Sequence, residues 1–427
     1  MKRLQAFKFE LRPNGEQQRQ MRRYAGCCRF VYNQALALQR AHYEAGGPFI
    51  GYVAMAKRLT AWRHSTESAW LKEAPVHPLQ QKLKDLERAY QNFFSRRAHF
   101  PRFKKKGVWE SFRYPDAKQI KLEQGNSRLF LPKLGWLRYR NSREVLGAVR
   151  NVTVSQSCGK WFVSIQTQRE VEPGLAQGAP VGIDVGIARF ATLSDGSGFA
   201  ALNAFKAQAQ RLARAQRALS RKVKFSSNWR KQQSRVQRIH ARIGHARRDY
   251  LHKTSTTISK NHAMVCMEDL QVKNMSKSAK GTVDKPGRHV RAKSGLNRAI
   301  LDQGWSEFRR QLAYKLSWRG GILIGVPAHN TSRLCPLCDH VAAENRRAQA
   351  VFKCVACGYE NHADVVGAMN ILARGHRVLA CREASSGLGH EAKTKPASMK
   401  QEPVICVQSS GCRLSCSAAS TVPSALC

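Results

Sequence analysis

Acidic side chains are scarce in this sequence: 28 Asp and Glu among 427 residues, against 73 Lys and Arg, a formal charge of +45. A surface of that sign repels itself unless a polyanion neutralises it, and nucleic acid is the usual partner. An anionic membrane is the other candidate. Long apolar runs are missing too, however, and no stretch approaches the roughly 18 apolar residues of a spanning helix. The opening residues, Met1-Lys2-Arg3-Leu4-Gln5-Ala6-Phe7-Lys8, contain no continuous apolar segment, so no secretory signal is expected. These absences predict a soluble, intracellular protein without a membrane partner. No internal repeat is evident. What remains is ordinary: 42% hydrophobic and 24% charged residues, in a chain long enough for two or three domains with cores of their own.

Alternation of Phe7, Phe9 and Leu11 with Lys8 and Glu10 predicts a strand over 2–11, stopped by Pro13-Asn14-Gly15. Met21, Tyr24, Cys28, Val31, Ala35 and Leu38 then recur at helical spacing, as do Leu79, Leu83, Leu86, Tyr90 and Phe93 after Pro78. Short β-type runs follow from Phe112 to about Gln168, with a hairpin turning at Ser157-Cys158-Gly159-Lys160. Residues 1–170 therefore read as a small β-barrel with a helical insertion. A linker-like segment, Glu172 to Pro180, leads to Val181-Gly182-Ile183-Asp184-Val185 and Phe190-Ala191-Thr192-Leu193, two buried strands, the second ending in an Asp195-Gly196 turn.

From about 203 to 250 two basic helices are expected, broken at Ser226-Ser227-Asn228. Arg211, Arg214, Arg217 and Arg221 share one face; Lys231, Arg235, Arg238 and Arg242 share another, opposite Val236, Ile239, Ile243, Ala246 and Tyr250. A charge run is usually a solvated face. Here hardly an acid is interspersed to balance the arginines, which favours contact with nucleic acid.

Thirteen cysteines, an odd number, argue against a disulfide framework, and four of them form two CxxC pairs. Cys335 and Cys338 are separated from Cys354 and Cys357 by the fifteen residues 339–353, enough for a hairpin that brings the pairs together. Four thiolates close a tetrahedral Zn²⁺ shell without an open position, so the expected role is structural. Cys406, Cys412, Cys416 and Cys427 form no such pairs, and beyond Gly375 the Ser-, Ala- and Lys-rich sequence reads as a disordered tail.

Three acids sit in apolar company. Asp184 lies among Val181, Ile183, Val185 and Ile187; Glu268 follows Ala263-Met264-Val265-Cys266-Met267; Asp364 precedes Val365-Val366-Gly367-Ala368-Met369-Asn370-Ile371-Leu372, where a helix begins. A carboxylate at the end of an apolar strand is costly unless a cation or donor meets it. Convergence of the three on paired Mg²⁺ ions would suit phosphodiester hydrolysis. Taken singly, Asp184 also suits a turn, Glu268 an arginine pair and Asp364 a helix N-cap.

With these motifs stand Arg29-Phe30-Val31-Tyr32-Asn33-Gln34-Ala35-Leu36, and Pro78-Leu79-Gln80-Gln81 through Asn92-Phe93-Phe94 to Pro101-Arg102-Phe103-Lys104-Lys105-Lys106-Gly107. To them are added Gly182-Ile183-Asp184-Val185-Gly186, Met267-Glu268-Asp269-Leu270, and Cys335 to Cys357 followed by Asp364 and Asn370-Ile371-Leu372. In that order, across about 3–375, the chain resembles TnpB, the protein of small bacterial insertion sequences related to type V CRISPR effectors. The resemblance implies a multidomain α+β and α/β protein. A wedge-type β-barrel (1–15 and 108–172) would carry a helical recognition insertion (16–107). A ribonuclease H-like RuvC nuclease domain (180–330 and 358–375) would hold the zinc ribbon (331–357), with a tail over 376–427. It implies an RNA-guided DNA endonuclease of the bacterial cytoplasm and nucleoid, partnered by a transposon-derived guide RNA and target DNA. Asp184, Glu268 and Asp364 take the catalytic Mg²⁺-binding roles, and Cys335, Cys338, Cys354 and Cys357 the Zn²⁺ roles. Two positions depart from the family pattern: Val366 stands where Asn is frequent, and Gly367 where Ala is. Competing functions are a guide-directed binder without cleavage, a basic zinc-ribbon RNA scaffold that leaves the buried carboxylates unexplained, and a strand-transferring transposase, for which no tyrosine-nucleophile pattern speaks.

Overall fold

The computed structural model describes residues 1–386 apart from Trp109 and Pro173. Strand β1 (Lys2–Glu10) is followed by α1 (Gly15–Glu44), α2 (Tyr52–His64) and α3 (Val76–Phe94). Asn14 caps α1 reciprocally with Gln17, satisfying two backbone N–H groups that the first turn leaves free. Strands β2 (Ser111–Tyr114), β3 (Lys121–Glu123), β4 (Arg128–Leu131), β5 (Gly135–Arg138), β6 (Ala148–Ser157) and β7 (Lys160–Glu170) come next. They form an antiparallel sheet of order β1-β7-β6-β2 and a smaller one, β3-β4-β5. The β6–β7 turn falls on Cys158 and Gly159, both at positive φ, the twist a two-residue hairpin needs. Phe7, Phe9, Val152, Val154, Val163 and Ile165 from the strands share one core with Met21, Val31, Leu79 and Leu83 from the helices.

The second half is built on β8 (Val181–Val185), β9 (Arg189–Leu193), β10 (Gly198–Ala200), α4 (Ala204–Ser220), α5 (Ser227–Asn261), β11 (Met264–Glu268), α6 (Val272–Met275), α7 (Val290–Gln303), α8 (Trp305–Ser317) and β12 (Ile322–Val326). A short hairpin, β13 (Val351–Lys353) and β14 (Glu360–His362), precedes α9 (Ala363–Ser386). The central sheet has the order β10-β9-β8-β11-β12, with β8, β11 and β12 parallel and β9 and β10 antiparallel.

Strand alternation sorts its side chains. Val181, Ile183, Val185, Val265 and Met267 pack against Leu251 and Ile258 of α5 and Phe308, Leu312 and Leu316 of α8. Met264, Cys266, Ile324 and Val326 face the other way, onto Ile371 of α9. Gly182 lies on that second face, where an added Cβ would stand 2.0 Å from the Ala368 carbonyl oxygen and 2.8 Å from the Leu372 nitrogen. Both obstacles are backbone, so they cannot swing aside. Gly182→Ala is expected to destabilise the protein by about 3 kcal/mol, read from its urea midpoint at unchanged slope.

The structure corrects two sequence expectations. Helix α5 runs to Asn261, well past 250, and α9 continues through Ser386 rather than giving way to a tail at Gly375. Val378 and Leu379 pack beside Leu372 on the core that α9 shares with the sheet, which is why the helix persists. The rest of the expected tail, 387–427, including Cys406, Cys412, Cys416 and Cys427, lies outside the described residues. Among the described residues no helix is long and apolar enough to cross a membrane.

Candidate active site and metal centre

Asp184 follows Gly182 by two positions on β8, so it shares the face turned to α9, and Glu268 shares that face with Met264 and Cys266 on β11. The parallel register pairs Ile183 with Met267, which sets Asp184 and Glu268 side by side at the carboxyl ends of adjacent strands. In open α/β sheets that edge is where ligands gather. Asp364 stands in the first turn of α9, and Gly367, three residues on, sits over Asp184: a Cβ there would be 3.0 Å from Asp184 Oδ2. All three acids are half-buried. Burial, then Glu268, then Asp364 push the Asp184 carboxyl up to about 7. Burial also raises Glu268, opposed by the Thr331 hydrogen bond and by Arg374.

The sequence offered no sign of the residues that hold these acids. Thr331 Oγ1 donates to Glu268 Oε1 at 2.5 Å, and Arg346 Nη2 donates to Asp364 Oδ1 at 3.1 Å. Both come from the cysteine-bearing segment. That segment is tied to α9 by Asn370, whose Nδ2 donates to the carbonyls of Thr331 and Leu334 at 2.8 Å each. Asn345 joins the two cysteine knuckles, donating to the Arg333 and His340 carbonyls and accepting from the Val355 N–H. Asn345 and Asn370 are buried polar groups with their donors satisfied, so each fixes geometry without leaving an unpaired group. Val366 is fully buried with Phe352, Cys335 and Cys354, an apolar setting that suits Val better than the frequent Asn.

Cys335, Cys338, Cys354 and Cys357 bring their sulfurs within 4.8 Å of one another. Cys335 to Cys357 and Cys338 to Cys354 are each 3.6 Å. Four sulfurs about 2.3 Å from one ion would be about 3.8 Å apart, so the cluster fits a tetrahedral metal shell. Among the described residues it is the one group of His, Cys, Asp or Glu placed to hold a metal ion at that spacing.

The eight basic residues expected to meet nucleic acid, Arg211, Arg214, Arg217, Arg221, Lys231, Arg235, Arg238 and Arg242, are all exposed, seven on α4 and α5 and Arg221 at the C-terminal cap of α4. Among the described residues none of them has an ion-pair partner at 4.0 Å or less. Leu212 and Ala215 pack on Ile239 and Ile243 beneath them.

A protein of Escherichia coli (strain K12) named "Putative RNA-guided DNA endonuclease InsQ" is 60% identical over 402 residues, covering 94% of this chain and 99% of that relative. The chain belongs to the TnpB family. A Streptomyces pristinaespiralis protein with the same name, less the gene designation, is 35% identical over 93% of this chain and 96% of its own length. Family models match in three places: "Probable transposase" over 160–279, "Cas12f1-like, TNB domain" over 305–371, and "Helix-turn-helix domain" over 1–48. In this TnpB-family structure residues 1–48 hold one strand and one long helix. The solved "Cas12f1-sgRNA-target DNA complex" shares the fold, with a TM-score of 0.54 at 12% identity over 87% of this chain and 98% of that one.

Proposed function

We propose that this TnpB-family protein is an RNA-guided DNA endonuclease whose RuvC-like site consists of Asp184, Glu268 and Asp364 holding Mg²⁺. The observation that carries the reading is two carboxylates on one face at adjacent strand ends, beneath a helix that brings a third. Such a donor set suits two ions about 3.5–4 Å apart. When bound, these ions supply an activated water and charge stabilisation at the scissile phosphate. The chain's own part is positional. Thr331 occupies one Glu268 oxygen and leaves the other free; Arg346 orients Asp364. The thiol cluster takes structural Zn²⁺. The exposed α4 and α5 cations track phosphates of a transposon-derived guide RNA and of target DNA. On this reading 1–15 and 108–172 form the wedge barrel, 16–107 the recognition insertion, 180–330 and 358–375 the nuclease domain, and 331–357 the ribbon.

The names of the two relatives support this assignment. It is tested with protein purified together with its RNA and a DNA substrate complementary to that RNA's guide segment. Cutting is expected in Mg²⁺ and is expected to stop on chelation or on digestion of the RNA. Equal cutting after RNA removal, or none with intact RNA and Mg²⁺, overturns the proposal.

A further inference from the structure

Away from the carboxylates, three arginines come together that form no ion pair among the described residues. Arg3 of β1 and Arg169 of β7 are register partners, so their side chains leave the sheet on the same face. The Arg3 guanidinium lies 3.6 Å from the ring centroid of Trp318, directly after α8, and Arg319 follows. Trp318 is itself braced edge-on by Tyr314, one turn back, at 4.6 Å. Burial, then Arg169, then Arg319 lower the Arg3 pKa.

Among the described residues none of the three has an ion-pair partner at 4.0 Å or less. Glu307 is the one acid in α8, and it is engaged by Arg310 through two hydrogen bonds and by Gln311 through a third. Glu170 follows Arg169 and points to the opposite face of the strand. The Nε atoms of Arg3 and Arg169 are buried without a hydrogen-bond partner. Partly burying three like charges is costly, and packing against Trp318 alone does not offset their mutual repulsion. An anion with several oxygens, matched to guanidinium forks, does.

We propose that Arg3, Arg169 and Arg319, braced by Trp318, form a binding site for a backbone phosphate where the β1–β7 edge meets the end of α8. The site rests on the nucleic-acid-binding part of the proposed function and extends it to residues away from α4 and α5. The phosphate can belong to RNA or to DNA, and binding assays in EDTA with a labelled single-stranded RNA and a labelled DNA duplex tell them apart. Arg169→Gln and Arg319→Gln are compared with the wild-type full-length protein, leaving Arg3 on its tryptophan. If the phosphate is RNA's, each variant binds the RNA about fivefold more weakly at 0.1 M salt, and its log–log salt slope is shallower by about 0.7. If it is duplex DNA's, the slope changes there instead, by about 0.9. Nucleic-acid-free variants should melt no lower than wild type, because a repelling charge has gone. Unchanged slopes with both probes, or a lower melting temperature with unchanged slopes, overturn the site. Cutting plays no part in these readouts, so a wild-type protein that fails to cleave leaves the result standing.

Discussion

Asp184→Ala protein, loaded with the same RNA as wild type, is expected to bind target DNA at least as tightly and to cut it at least about a thousandfold more slowly. Glu268 and Asp364 both act on the Asp184 carboxyl, so its loss removes a ligand central to the proposed pair of ions. Without metal, the same carboxylate repels phosphate, which is why binding should not suffer. Asp195, paired with Ser197 in its own turn, serves as the control and should tolerate Ala. Wild-type cutting by Asp184→Ala would remove that residue from the site.

A stability signature accompanies the loss of cutting. The Asp184 carboxyl is raised to about 7 in the fold, against about 3.9 in an unfolded chain. Between those values the unfolded state ionises and the folded state stays protonated, so metal-free stability falls as pH rises from about 4 through 7. Asn does not ionise. Asp184→Asn should therefore match wild type near pH 4 and exceed it by on the order of 3 kcal/mol at pH 8 in EDTA. Added Mg²⁺ should narrow that gap by stabilising wild type alone.

The second large effect is expected at the thiol cluster. Cys354→Ser should lose the metal and unfold the segment around β13 and β14, because closing such a shell is worth on the order of 10 kcal/mol to a small module. Cutting should fall about 10–100-fold although no thiol touches the reaction. Thr331 and Arg346 ride on this segment, and their release frees Glu268 and Asp364. Metal analysis and cleavage on one preparation check both points. Full metal content together with full cutting would exclude the four-thiolate site.

Much of this was legible in the sequence because strand periodicity and ligand spacing are local signals. An aspartate amid Val181, Ile183 and Val185, and the two CxxC knuckles, announce themselves within a few residues. The extension of α9 was also signalled, by Ile371, Leu372, Val378 and Leu379 at helical spacing, although Gly375 and the polar residues beyond it argued for a stop. Thr331, Arg346 and Asn345 carry no such mark. Their importance arises from a fold that carries 331 to 268 and 346 to 364, and a lone Thr or Arg in a loop is common in any sequence. The Arg3–Trp318 stack is likewise invisible, since its partners lie far apart along the chain.

Among the described residues, the helix that covers Gly182 and carries Asp364 comes last in the order of synthesis. A ribosome making this protein releases β8, β11 and both arginine-bearing helices before it releases α9, at about 5–20 residues per second. During that interval one face of the central sheet lacks its cover and the carboxylate set is one short, while the cationic helices are already made. If the proposed site is right, a product terminated before residue 363 would thus hold nucleic acid without severing it. On the proposed function, frameshifts late in the coding sequence would turn a cutter into a competitor for the same RNA.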